Sequence, residues 1–255
     1  MTSVLKTALV TGAGQRLGAA MAESLGARGY AVAVHYRGSR AGAEQTAARV
    51  DAAGGRAALV RADLADESQT TGLVPQAEAA LGAPIALLVN NASTFEDDDV
   101  QTHTRADWDK HMEANLRAPI VLAQAFAKAL PAEAQGLILN MLDQRVKKLN
   151  PTFFTYTLSK MALWTATQTL AQALGPNIRV NAIGPGPTLQ NARQESDDFR
   201  AQYAATPLER PVSVEDIVRA LLYFLDADAV TGQMLAVDSG QHLIWRTPDV
   251  DGVVE

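Results

Sequence analysis

The chain has 255 residues, of which 47% are hydrophobic and 20% are charged, a balance that is ordinary for a globular protein. A formal net charge of −6 argues against broad electrostatic attraction to nucleic acid or to an anionic membrane surface. The absence of cysteine excludes a disulfide framework, a thiolate metal site and a thiol nucleophile, and it fits a cytoplasmic compartment.

Two further exclusions concern membranes and metals. No apolar run approaches the roughly 20 residues that a membrane helix requires, and the run before the first glycine loop is too short for a signal-peptide core. The four histidines are scattered without metal-ligand spacing, and the acidic run at 96–99 is interpreted as a solvated loop. We therefore expect a soluble protein without a metal.

Short β-type runs alternate along the chain with longer stretches of helical spacing. The predicted strands are 7–11, 31–36, 57–61, 86–90, 137–141, 178–183 and 234–237, and the clearest helices are 17–28, 41–53, 67–81 and 156–174. Glycines at 29, 54–55, 82, 136 and 175 stand where helices should stop, as left-handed C-caps do. The alternation predicts an α/β fold with a Rossmann-type doubly wound parallel sheet of about seven strands.

Residues 1–255 contain no linker or repeat and are interpreted as one domain. The longest weakly patterned segment is 184–212, which predicts a substrate-binding loop or lid, with a tolerated surface insertion as the alternative. Within it, Gln190, Asn191 and Arg193 could bind a substrate tail or merely be solvated.

The stretch TGAGQRLG, residues 11–18, joins the first predicted strand to the first predicted helix. Gly12 permits a tight turn, Gly14 lets the backbone approach a pyrophosphate, and Gly18 allows close helix–strand packing. The helix N-terminus then offers free N–H groups to phosphate. This order predicts a dinucleotide site, in which Arg16 replaces only a glycine that the loop can spare.

The second predicted strand discriminates between cofactors. No acid occurs from 31 to 43, where an NAD site would place one to bind the ribose hydroxyls. Arg37, Ser39 and Arg40 are available instead, beside Arg16, and cations with hydroxyl donors suit a phosphomonoester. The pattern favours NADPH over NADH, although surface arginines are common.

The spacing T-G-x-x-x-R-x-G resembles the short-chain dehydrogenase/reductase family, whose usual form has glycine where Arg16 stands. NNAS at 90–93, Asn115, YTLSK at 156–160 and GPG at 184–186 follow in the family's order. The resemblance implies an NADPH/NADP+ site formed by Gly12, Gly14, Arg16, Leu17, His35, Tyr36, Arg37, Ser39, Asp63, Leu64, Asn90, Asn91, Ala92, Ser93, Tyr156, Lys160, Pro185 and Gly186. For Asp63, a helix N-cap is the alternative.

Tyr156 and Lys160 are four residues apart and share one face of a helix. A neighbouring ammonium would lower the pKa of a phenol, which is ordinarily about 10, and so make it a usable general acid. The resemblance implies that Lys160 also holds the nicotinamide ribose, that Asn115 organises a water-linked proton path, and that Pro119 kinks its helix. Taken alone, the pair would be an exposed helix pair.

Asp143 stands thirteen residues before Tyr156, where most of the family has serine. A carboxylate there would repel a developing alkoxide and would suit a substrate that offers N–H groups, such as an amino-pyrimidinone ring. An alternative is that a nearby hydroxyl residue acts instead, but nothing from 137 to 151 is Ser or Thr.

Arg16, Phe95 and Asp143 together resemble the pteridine reductases of this fold, including dihydromonapterin and dihydrofolate reductases. The resemblance implies hydride transfer from NADPH to a dihydropterin and protonation of a ring nitrogen, with catalytic residues Asp143, Tyr156, Lys160 and Asn115. It implies a pterin stacked between the nicotinamide and Phe95, with substrate contacts from Arg16, Ser93, Phe95, Asp143, Tyr156 and Leu189.

Three further expectations accompany this hypothesis. A short-chain carbonyl or 3-oxoacyl reductase and a non-catalytic NADP-binding regulator remain alternatives. The helices that carry Trp108 and Trp164 resemble the family's subunit interfaces, which implies a homotetramer.

Overall fold

Seven strands form one parallel sheet, in the order β3-β2-β1-β4-β5-β6-β7. The computed structural model describes residues 5–189 and 196–247. The strands are β1 (Thr7–Val10), β2 (Ala31–Tyr36), β3 (Arg56–Arg61), β4 (Leu87–Asn90), β5 (Gly136–Met141), β6 (Ile178–Pro185) and β7 (Met234–Val237). The predicted α/β sheet is confirmed, with strand ends within two residues of the predicted positions.

Eight α-helices cover the sheet within the described ranges. They are α1 (Arg16–Ala27), α2 (Arg40–Ala52), α3 (Glu67–Leu81), α4 (Arg105–Met112), α5 (Ala118–Ala129), α6 (Phe154–Leu174), α7 (Ser196–Ala204) and α8 (Val214–Asp226). No helix in these ranges is both long enough and apolar enough to cross a membrane.

The central strands β1, β2, β4, β5 and β6 are largely buried on both faces, so their side chains alternate between two apolar layers. In β1, Val10 packs into one layer with α1 and α8, which contribute Leu25 and Phe224. Its neighbour Leu9 packs into the opposite layer with α3 and α5, where Phe126 lies. Because the strands are parallel and packed between these two layers, their carboxyl ends all lie at one edge of the sheet.

The chain changes direction across the sheet between β1 and β4. From β1 the sheet grows one way through β2 and β3, and the other way through β4 to β7. The loops that follow β1 and β4 consequently diverge and leave a crevice at the carboxyl edge. Open α/β sheets bind ligands in such a crevice.

The glycine prediction is partly wrong. Gly29, Gly54 and Gly82 have positive φ as predicted. Gly175 has φ −65, because it precedes Pro176 and the residue before proline is driven to extended conformations. Gly136 begins β5, where a Cβ would lie 2.9 Å from the Phe126 ring, and Gly55 lies where a Cβ would approach Gly26 to 2.6 Å.

Parts of the segment 184–212 form regular structure that its pattern did not predict. Strand β6 continues to Pro185, and α7 forms inside the segment. Gln190, Asn191 and Arg193 lie outside the described residues.

Candidate active site

Two adjoining clefts lie at the carboxyl edge of the sheet. The first, of about 500 Å³, lies between the glycine loop and the ends of β2, β3 and β4. The second, of about 410 Å³, lies between the β4 loop, the β5 end, α6 and the segment after β6. Arg16, Leu17, Asn91 and Ser93 line both clefts, so the two form one continuous site.

The structure brings most of the predicted residues to these clefts. The first is lined by Gly12, Gly14, His35, Tyr36, Arg37, Ser39, Asp63, Leu64 and Ala92 in addition to the shared residues. The second adds Phe95, Asp143, Tyr156, Lys160, Pro185, Gly186 and Leu189. Among the predicted residues, Asn90 and Asn115 line neither cleft.

A buried histidine supports the glycine loop. Gly12, at φ +63, donates its N–H to Nδ1 of His35 at 3.0 Å. The other ring nitrogen, Nε2, must then carry the proton, and it lies 3.2 Å from the carbonyl of Ala62. Burial lowers the pKa of His35 to about 4, which keeps the ring neutral. His35 therefore supports the glycine loop through a neutral hydrogen bond, and it carries no positive charge that could attract a phosphate.

The other two glycines of the loop differ in how tightly their backbone is packed. A Cβ on Gly18 would lie 2.4 Å from the Gly12 carbonyl oxygen, so only glycine fits there. A Cβ on Gly14 would lie 3.4 Å from the backbone nitrogen of Ala43 in α2, an ordinary contact distance.

Arg16 occupies a backbone conformation that favours glycine. Its φ is +52, in the left-handed region that costs a side-chain-bearing residue about 1–2 kcal/mol. The prediction that the loop can spare a glycine here is therefore wrong. The side chain reaches across the site, where Nη2 donates to the Leu189 carbonyl at 3.3 Å. Arg16 thus links the glycine loop to the segment after β6.

The two basic residues that follow β2 lie in different surroundings in the structure. Arg37 and Ser39 line the first cleft, whereas Arg40 donates through Nε to Glu44 at 2.9 Å on the surface of α2. Asp63 lines the cleft rather than capping a helix, because Asp66 is the N-cap of α3. This end of the cleft therefore has a cation and a hydroxyl next to a glycine-rich backbone.

The two asparagines of NNAS, Asn90 and Asn91, form hydrogen bonds that connect the elements around the crevice. Asn90 is buried and donates through Nδ2 to Asn140 Oδ1 at 2.8 Å, so its side chain ties β4 to β5. Asn91 donates to the carbonyls of Thr11 at 2.8 Å and Gly12 at 3.3 Å. The loops after β1 and β4 are therefore held at a set separation.

Asn115 lies in a π turn, Glu113–Arg117, between α4 and α5. Pro119 follows four residues later and lacks the N–H that an α-helix would direct at the Asn115 carbonyl. The Asn115 side chain accepts from Ser93 Oγ at 3.0 Å and from Thr94 N–H at 2.8 Å. Its Nδ2 donates to Ser159 Oγ at 3.2 Å. Asn115 is thus joined to both the β4 loop and α6, as π turns at functional sites often are.

Tyr156 points its hydroxyl at Asp143. The phenol donates to Asp143 Oδ2 at 3.0 Å, and Oδ1 accepts the backbone N–H of Arg145 at 2.8 Å. Burial, reinforced by the negative charge of Asp143, raises the pKa of Tyr156 well above 10. The phenol therefore holds its proton at neutral pH, and the carboxylate orients it.

Lys160 does not lower the tyrosine pKa as predicted. Its Nζ donates to the Met141 carbonyl at 2.8 Å, and burial lowers the pKa of Lys160 to about 8. The ammonium lies 5.7 Å from the centre of the Tyr156 ring. Burial first, and then the carboxylate on the phenol oxygen, raise the pKa of Tyr156, and the cation that opposes them is Arg145 rather than Lys160.

Comparisons with known proteins agree with this geometry. A family model described as enoyl-(acyl carrier protein) reductase matches residues 12–242. A short-chain type dehydrogenase/reductase of Picea abies is 30% identical over 251 residues, covering 92% of each chain. The chain belongs to the short-chain dehydrogenase/reductase family. The predicted oxidoreductase class is thereby confirmed.

Two solved members of the family are more similar. FolM alternative dihydrofolate reductase 1 of Brucella suis, in complex with NADP, is 48% identical, with a TM-score of 0.92 over 97% of this chain and 98% of that chain. Its counterpart from Brucella canis, complexed with NADP, is also 48% identical, with a TM-score of 0.90 over 96% and 97% of the two chains. The resemblance to the reductases of this subgroup is confirmed.

Phe95 and Phe153 form an aromatic wall beside the second cleft, in which Phe95 lines the cleft and Phe153 packs against it. Sequence reasoning missed Phe153. The rings of Phe95 and Phe153 stack at 4.2 Å with 9° between their planes, and Phe95 lies edge-on to Tyr156 at 4.7 Å. The guanidinium of Arg145 lies 4.9 Å from the centre of the Phe153 ring. The aromatic pair in PTFFTY, just before the family's tyrosine, was the available signal for Phe153.

Proposed function

We propose that the protein reduces a dihydropterin to its tetrahydro form with NADPH. The observation that carries the proposal is the hydrogen bond from the Tyr156 phenol to the Asp143 carboxylate, in a cleft that also holds Arg16 and Phe95. A carboxylate accepts N–H groups and rejects anionic oxygen, so it selects an amino-substituted ring over a ketone.

The residues of the first cleft fit NADPH. The backbone N–H groups of the glycine loop and α1 suit the pyrophosphate, and Arg37 with Ser39 suits the 2′-phosphate. Lys160, which lines the second cleft together with Leu17, suits the nicotinamide ribose. The cofactor would supply the hydride.

The chain's own residues account for the proton. Reduction of a C=N bond adds a proton to nitrogen and leaves a neutral amine, so the site needs a proton donor and no oxyanion stabiliser. Tyr156 is protonated at neutral pH and has its O–H fixed by Asp143. Asn115, bonded to Ser93 and Ser159, supports the polar route by which the phenol regains its proton.

Phe95 lines the second cleft and suits the flat face of a pterin, and Phe153 stacks on the Phe95 ring and supports it. Leu189, Phe199 and Gln202 line the outer side of the second cleft, in the part of 184–212 that we propose as the substrate-binding segment. Substrate tails would leave the cleft on this side.

We further propose a homotetramer in the cytoplasm. The support for assembly is the exposure of large apolar side chains on α4, α8 and the edge strand β7: Trp108, Tyr223 and Leu235. The compartment rests on the absence of cysteine.

A substrate panel tests the proposed reaction. The purified enzyme is mixed with NADPH and with dihydromonapterin, dihydrobiopterin or dihydrofolate, and loss of absorbance at the NADPH band is followed beside a set of ketones and 3-oxoacyl esters. We expect oxidation of NADPH with at least one pterin and a lower kcat/KM for every carbonyl compound. Turnover of ketones alone would replace the proposal with the carbonyl reductase.

A further inference from the structure

One carboxylate of the acidic run at 96–99 is buried, contrary to its interpretation as a solvated loop. Asp98 is only 6% exposed. Its Oδ1 accepts the N–H of Thr155 at 3.1 Å, its Oδ2 accepts the Thr155 hydroxyl, and its backbone carbonyl accepts the N–H of Phe154 at 3.1 Å. Asp98 thus caps, from a distant loop, the first two N–H groups of α6.

This cap from another loop is needed because α6 has no local one. The residue before the helix, Phe153, has φ +54 and makes no side-chain capping bond. Helix N-termini leave backbone N–H groups unpaired unless an acceptor is supplied. The helix that carries Tyr156 and Lys160 is therefore anchored at its first turn by the loop that carries Phe95.

A buried histidine completes the same cluster. His111 of α4 is fully buried, and its Nε2 accepts the backbone N–H of Glu96 at 3.1 Å. Its Nδ1 must then carry the proton, which faces the Thr155 hydroxyl at 2.7 Å. The Thr155 hydroxyl accepts from His111 and donates to Asp98, so each N–H and O–H donor in this chain of bonds has an acceptor.

The cluster is directly joined, through the backbone, to the two residues that we propose to face the substrate. Thr155 directly precedes Tyr156, and Glu96 directly follows Phe95. The His111 ring lies 6.0 Å from the Tyr156 ring in an edge-on contact. Any shift in the three bonds therefore changes the separation of the phenol from the aromatic wall.

We propose that Asp98, His111 and Thr155 are positioning residues, which hold the Tyr156 phenol and the Phe95 ring at the separation that a bound pterin requires. The effect of these residues on turnover rests on the proposed function. Their structural coupling, by which they hold the Phe95 loop against the first turn of α6, does not. None of the three lines either cleft, so they act through Tyr156 and Phe95.

The decisive comparison is Thr155→Val against Thr155→Ser. Valine keeps the shape but removes the hydroxyl, which leaves a buried donor on His111 and a carboxylate oxygen on Asp98 unpaired. Misplacement of a reacting group by about 1 Å costs on the order of 100-fold in rate. For Thr155→Val we expect kcat for the dihydropterin to fall at least about tenfold, with the dissociation constant of NADPH within about twofold of wild type. Thr155→Ser should restore kcat.

A second variant and a readout independent of turnover complete the test. His111→Gln keeps one donor and one acceptor, whereas His111→Leu keeps neither, so we expect the leucine variant to be the more damaged. Amide hydrogen exchange should rise in peptides covering 94–104 and the start of α6 in Thr155→Val but not in Thr155→Ser. If wild type reduces no pterin while this exchange pattern appears, the proposed function fails and the coupling stands. Unchanged exchange and turnover in Thr155→Val, or equal loss in both threonine variants, would overturn the positioning role.

Discussion

The Tyr156 hydroxyl, which is buried, and the Asp143 carboxylate, which is half-buried, are hydrogen-bonded at 3.0 Å, so the acid and its acceptor are already paired before a substrate enters. Most of the family has serine at the Asp143 position, which would donate to a substrate carbonyl. We therefore expect this one residue to favour a dihydropterin over a ketone.

Substitution of Asp143 tests that separation. Asp143→Asn keeps the shape but removes the charge, and Asp143→Ser restores a donor. We expect both to lower kcat/KM for the dihydropterin at least about tenfold, since a charge-assisted hydrogen bond contributes about 1.5–3 kcal/mol. Asp143→Ser should also raise kcat/KM for a small ketone. Steady-state assays with both substrates measure this, and a serine variant that kept its pterin activity would contradict the assignment.

Removal of the phenol oxygen tests the proton donor. In Tyr156→Phe we expect kcat to fall about 10²–10⁴-fold, the usual contribution of a positioned general acid. NADPH binding, followed by fluorescence titration, should be almost unchanged. Tyr223→Phe on α8 is the control, because Tyr223 is 51% exposed and remote from the clefts. Unchanged kcat in Tyr156→Phe would show that the phenol is not the proton donor. Unchanged cellular function of Tyr156→Phe with intact NADPH binding would instead favour the non-catalytic NADP-binding regulator.

The parts of the fold that were predictable depend on local patterns. Strand–helix alternation and the four-residue spacing of Tyr156 and Lys160 are local sequence signals, and the structure has both. The supports of the site are not local. His35 meets Gly12 from 23 positions away, and Asp98 meets Thr155 from 57 positions away. The sequence alone does not show which distant residue such a side chain contacts, and for this reason the run that contains Asp98 was interpreted as solvated.

The conformation of Arg16 was unpredictable for a different reason. Arginine disfavours positive φ, so its sequence position gives no hint that the loop keeps the geometry of the usual glycine. Helix α7 was likewise not predicted. The prolines near both ends of 184–212 indicate breaks in regular structure but do not indicate what forms between them.

Arg16→Gly and Arg16→Ala separate the backbone of this residue from its side chain. Both variants lose the guanidinium and its bond to Leu189, so we expect similar losses of kcat/KM for the pterin. Only glycine relieves the left-handed strain, so Arg16→Gly should be more stable than Arg16→Ala by about 1–2 kcal/mol. Urea unfolding measures the difference. Equal stabilities of the two variants would contradict the positive φ.

Arg37 and Arg40 form a matched pair for cofactor choice. Arg37 lines the first cleft, whereas Arg40 is paired with Glu44 on α2. In Arg37→Ala we expect KM for NADPH to rise roughly 10- to 100-fold with little change for NADH, the loss of a charge-assisted phosphate contact. Arg40→Ala should leave both constants unchanged. A larger effect of Arg40→Ala would place the phosphate site further along α2.

His35 gives the fold a dependence on acid that can be measured without a substrate. Its pKa is lowered by burial from 6.5 to about 4, so between these values the unfolded chain binds a proton that the folded chain does not. Stability is therefore complete above about pH 6.5 and falls as the pH drops towards 4, by about 3 kcal/mol for this residue. In His35→Asn the amide oxygen can still accept the Gly12 N–H but does not titrate, so the loss over this window should be smaller than in wild type. Urea unfolding at pH 7.0, 5.5 and 4.5 gives the comparison, and His103→Asn is the control. Parallel pH profiles for wild type and His35→Asn would show that the imidazole is not held neutral beneath the glycine loop.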